Sequence, residues 1–128
     1  MDRQLFIDKI LESENLTDAL EDEDADTLLN WGIKQVDALI EGVTDEDAAG
    51  ERINDLMHMM RGLSAAAGNP SRISHDAIVD LINRFSKIAG DVSNIDEGER
   101  KALVERLSKM ESGEVIQHLT NWLESKKS

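Results

Sequence analysis

Apolar residues return at every third or fourth position along most of the chain, which is the period of a single helix face rather than of a strand. Six segments carry this spacing, and no two-residue alternation interrupts them. The first, about residues 2–12, contains Leu5, Phe6, Ile7, Ile10 and Leu11. A short acidic stretch, Asn15 to Leu20, follows and is expected to add one more helical turn.

The second helix is expected over about residues 23–41, with Ala25, Leu28, Leu29, Gly32, Ile33, Val36, Leu39 and Ile40 on its inner stripe. Acidic residues 22–26 lie at its N-terminal end, where the macrodipole favours them, and Gly42 stops it. The third helix, about 45–67, has Thr44 as its expected N-cap with Asp47 three residues on. Its stripe is Ala49, Ile53, Leu56, Met57, Met60, Leu63, Ser64 and Ala67, and Gly68-Asn69-Pro70 ends it. A fourth helix follows Ser74, about 75–89, with Ile78, Leu81, Ile82, Phe85, Ile88 and Ala89 inward. A fifth, about 97–111, opens on Asp96 and Glu99 and turns Leu103, Leu107 and Met110 inward. The sixth, about 113–125, is expected to be capped by Ser112 and to bury Val115, Ile116, Leu119, Trp122 and Leu123.

Short connections between helices of this length predict antiparallel packing. The expected fold is therefore all-α, one compact domain over residues 1–128 built as a bundle of five to six helices. A short helical-repeat solenoid is the alternative. Gly32 and Gly62 lie in the middle of their helices, where each costs about 1 kcal/mol relative to alanine. Gly32 falls on the inner stripe and predicts a close helix crossing; Gly62 falls on the expected polar face, where a bend is one account of it.

Composition narrows the picture. An apolar share of 40% is enough for a core in 128 residues, so wholesale disorder is excluded despite the charge. Aromatics make up 3%, so that core must be aliphatic. There is no cysteine, which removes disulfides, thiolate metal sites and cysteine nucleophiles. No apolar run is long enough to span a membrane, and residues 1–11 lack the layout of a signal peptide, so a cytoplasmic location is expected.

Charge is unevenly placed. Residues 1–60 hold 17 Asp/Glu against 4 Lys/Arg, a balance of −13, whereas residues 61–128 hold 10 of each. A negative field of this kind repels nucleic acid and anionic lipid, so direct binding of either is not expected.

Candidate chemistry is sparse. Calcium loops starting at Asp22 or Asp45 break where the ion needs them: Thr27 and Ile33 in the first, Ala49 and Leu56 in the second. Asp55-x-x-His58, with Glu51 one turn earlier, is half of a carboxylate-histidine metal motif, but its face points away from the core stripe. His75-Asp76 is similar to the His-Asp pair of metal-dependent phosphohydrolases, which add further His and Asp ligands from other helices; His58 and Asp91 are the available companions. There is no nucleophile elbow and no phosphate-cradling loop. No catalytic, metal or cofactor residues are therefore assigned, and the chain is not expected to be an enzyme.

What remains is interaction surface. Trp31 and Met59 both lie off their helix stripes and are the candidate interface residues, an adaptable Met and an anchoring Trp. They point to a non-catalytic helical protein that pairs with itself, as a homodimer, or with another protein. The alternative is an acidic regulator that binds a basic, nucleic-acid-binding partner through residues 1–60. A metal-dependent hydrolase using His58, His75 or His118 is the third.

Overall fold

A computed structural model describes residues 2–13, 15–90 and 92–127. The six periodic segments are helices: α1 (Arg3–Leu11), α2 (Asp22–Ile40), α3 (Glu46–Gly68), α4 (His75–Ala89), α5 (Glu97–Ser108) and α6 (Ser112–Ser125). A 3-10 turn, Pro70–Arg72, links α3 to α4. Among the described residues β-pairing is limited to one isolated antiparallel bridge between Val92 and Lys127.

The helix starts follow local chemistry. Ser74 accepts a hydrogen bond from the Ala77 N–H at 3.0 Å, and Asp96 from the Glu99 N–H at 2.7 Å. Both satisfy backbone donors that the first helical turn leaves without partners. At α3 the cap is Asp45, not Thr44: the carboxylate accepts from the Asp47 N–H at 3.1 Å. At α6 the cap position belongs to Glu111, and Ser112 is already helical. Gly42, with φ +72°, takes the left-handed turn that ends α2. The segment 15–20 forms turns and bends instead of a helical turn, and it buries Leu16. Helix α5 stops at Ser108, three residues before the expected end.

Helix α3 is the axle of the bundle, packing against α1, α2, α4 and α6. A solenoid places each repeat only on its neighbours, so the contacts of α6 with both α2 and α3 identify a bundle. A helix surrounded on several sides must be apolar on more than one stripe. Accordingly α3 buries Ala49, Ile53, Leu56, Met57, Met59, Met60, Leu63, Ala66 and Ala67, and the core forms one continuous cluster. Each large side chain withdrawn from water there contributes about 1.5–3 kcal/mol.

The mid-helix glycines sit where helices approach. A Cβ on Gly32 would lie 2.5 Å from the Met60 Sδ, which gives the close α2/α3 crossing expected of it. Gly62 is half-buried: a Cβ there would lie 2.8 Å from the Leu81 Cδ2, because α4 packs on that flank of α3.

Candidate protein-interaction surface

The two residues singled out as interface anchors are both interior. Met59 is fully buried, since α3 is covered on the flank that its own stripe leaves open. Trp31 is 8% exposed, and its indole N–H donates to the Glu124 Oε1 of α6 at 3.1 Å. Gln35, one turn along α2, donates to the same carboxylate oxygen at 3.1 Å, and Lys127 reaches the other at 2.9 Å. The off-stripe position of Trp31 is thus accounted for by α6, and neither Trp31 nor Met59 is an exposed anchor.

The histidines sit on three different helices. His58 is exposed on α3. His75 opens α4, with its Nδ1 buried and without a hydrogen-bond partner. His118 of α6 stands 3.2 Å from the Arg106 guanidinium. Partial burial, and then the charge of Arg106, hold the His118 pKa below the ordinary imidazole value. Among the described residues no three His, Asp or Glu side chains gather into a group that could hold a metal ion. Asp91 lies outside the described residues. The two windows read as possible calcium loops are helical over nearly their whole length, since α2 starts at Asp22 and α3 at Glu46.

The exposed features that remain cluster between α1 and the first half of α3. A nine-residue helix cannot turn all of its apolar residues inward. Phe6, Ile7 and Ile10 define the buried face of α1, while Leu5 and Leu11 fall to either side of it, at about 100° per residue. Among the described residues they are the large apolar side chains left exposed, at 49% and 53%. Leu5 and the edge of Phe6 floor an open groove of about 830 Å³. Asp8, Lys9 and Glu12 form its α1 wall. Glu46, Asp47, Gly50, Glu51 and Asn54 form its α3 wall. Five carboxylates face one lysine. Leu5 and Glu46 also line the adjoining depression that runs to Val43 and Thr44.

Two of these carboxylates stand where local rules disfavour them. Asp8 lies in the last turn of α1 and Glu12 is its C-cap, at the negative end of the helix dipole. Glu46 and Asp47, in the first turn of α3, are placed favourably. The nearby cations are already engaged: Arg3 pairs with Asp37 of α2 at 2.5 Å, and Arg52 donates to the Leu39 carbonyl at the end of α2.

A second open groove, about 600 Å³, runs between the first turns of α2 and the first half of α6. Glu23, Asp24 and Glu114 line it together with His118 and Met110. It is acidic too, but Met110 is its one large apolar side chain.

Sequence reasoning passed over Leu5 and Gly50. The signal for Leu5 was present, in its angle from the Phe6/Ile10 line; Gly50 carried none beyond being a glycine inside a helix. No helix among the described residues is long and apolar enough to cross a membrane. No family model, curated protein or solved structure matches the chain.

Proposed function

We propose that this chain is a non-catalytic protein-binding module whose acidic side, built from α1, α2 and the first half of α3, takes a basic partner protein. The observation that carries the reading is the α1/α3 groove, where five carboxylates surround a half-exposed leucine. The groove joins an excess of negative charge to an apolar contact point, which is the complement of a cationic protein surface. The withdrawal of Trp31 and Met59 into the interior moves the balance from self-association to a partner of opposite charge. A protein of this kind would compete with nucleic acid for a basic site, since both present closely spaced anions.

Co-purification from the native host at low and at high salt tests this. The retained proteins should be predominantly basic, should leave as salt rises, and should be lost when the carboxylates at residues 21–26 and 45–47 are changed to amides. Retention that ignores both salt and these changes would overturn the reading.

A further inference from the structure

The glycines of the long helices divide into two kinds. Gly32, Gly62 and Gly68 are each pressed by a neighbour, with a Cβ falling within 2.5–2.8 Å of Met60, Leu81 or Ala19. Gly50 is different. It lies one turn into α3, and a Cβ there would meet nothing within 4 Å. Nothing in the packing of this chain calls for glycine at that position, where alanine would favour the helix. Gly50 lines the α1/α3 groove together with Leu5 and the five carboxylates. The bare backbone at Gly50, the exposed Leu5 and the carboxylates at the disfavoured end of α1 are three local departures from good helix design that meet at one place.

We propose that this groove docks a basic amphipathic helix of a partner protein, which sets a large apolar side chain against Leu5 and passes close over Gly50. The proposal rests on the reading of the chain as a binder of basic proteins and specifies the element bound. Charge selects a cationic occupant, because five carboxylates against Lys9 leave an excess of four negative charges around the groove. Backbone chemistry selects a helix. Both walls are helices whose main-chain groups are bonded internally, so the groove has no strand edge on which an extended peptide could pair. A helix satisfies its own backbone and recognises through side chains, and a residue without a side chain lets two helix axes come nearer. The groove is wide open and lined mostly by charge, unlike the enclosed, largely apolar pockets that hold small molecules.

The test uses the whole chain and a synthetic eighteen-residue peptide of lysine and leucine, its leucines spaced three and four apart. A second peptide of identical composition but scrambled spacing serves as control. Amide chemical shifts map the site and calorimetry measures affinity. The helical peptide should perturb Leu5, Phe6, Gly50 and Asn54, and should bind about tenfold more tightly than the scrambled one. Gly50→Leu, whose side chain enters the groove and not the core, should weaken it by about tenfold, and Leu5→Asp by a comparable factor, with the circular dichroism of both variants unchanged. Equal binding of the two peptides, shifts confined to the α2/α6 groove, or indifference to Gly50→Leu would overturn the proposal. If these failures come with salt-dependent binding of basic protein to the unaltered acidic side, the broader reading survives without this one. If neither peptide binds at low salt and no basic protein is retained, both fall.

Discussion

The two halves of the molecule obey the same helix-building rules and present different exteriors. In residues 61–127 half of the cations are held in ion pairs: Arg84 pairs with Asp80, Lys101 with Glu97, Lys109 with Glu105, Lys126 with Glu99 and Lys127 with Glu124. In the first half the one ion pair among the described residues is Arg3 with Asp37. Exposed pairs of this kind contribute about 0–1 kcal/mol each, so the contrast is not mainly one of stability. It is a contrast of outward field. The second half has as many cations as carboxylates, and the first leaves most of its carboxylates without a cation.

The sharpest way to break the comparison is to remove one apolar side chain from each half. Phe85→Ala, in a fully buried position on α4, should cost about 3–5 kcal/mol in denaturant unfolding. Leu5→Ala should change stability by no more than about 0.5 kcal/mol, since half of that side chain already faces water. A large loss at Leu5 would make it a core residue and close the groove.

The glycines give a smaller effect with opposite signs. Gly68→Ala drives a methyl against the Cβ of Ala19, which has no rotamer through which to yield, and should destabilise by about 1–3 kcal/mol, less the helix-propensity gain. Gly50→Ala meets no neighbour and should stabilise by about 1 kcal/mol. Thermal melts of the two variants decide this; the same sign for both would erase the distinction on which the groove argument rests.

Smaller again is the response to salt. Raising sodium chloride from 0.1 to 1 M shortens the screening length from about 10 Å to about 3 Å, which should relieve repulsion and raise the Tm. The rise should flatten when the carboxylates at residues 21–26 are amidated, and should persist when carboxylates in the second half are.

The smallest effect concerns His118. Its folded pKa lies below the ordinary value near 6.5, so the unfolded chain takes up the proton more readily. Its contribution to stability is therefore present above about pH 6.5 and lost as pH falls toward the folded pKa. The Tm difference between the protein and His118→Asn should shift in favour of the variant across that window.

Much of this fold was legible because periodicity reports directly on burial. Leu28, Val36, Ile53, Leu56, Leu81, Phe85, Leu103 and Leu119 all lie where the three- and four-residue spacing puts them, and all are buried. Spacing names a face but not what covers it. Trp31 and Met59 became interface candidates because each lies off its own stripe, and Gly62 was placed on the polar face for the same reason. What meets them comes from other helices, α6 over Trp31 and α4 against Gly62. The caps that moved by one residue, Asp45 for Thr44 and Glu111 for Ser112, lie where neighbouring polar residues compete for the same job. The groove was illegible for a further reason: it lies between α1 and α3, and no local pattern encodes how two helices are set against each other.

The reach of α6 back to α2 has a bearing on how the molecule assembles. The indole of Trp31 waits for a carboxylate 93 positions later in the chain. A ribosome adding about 5–20 residues per second spends several seconds over that stretch. During synthesis the greasy flanks of α2 and α3 have no lid, and the final helix closes the interior like a keystone. Chaperone capture or aggregation should therefore concentrate on nascent chains that carry α3 and lack α6.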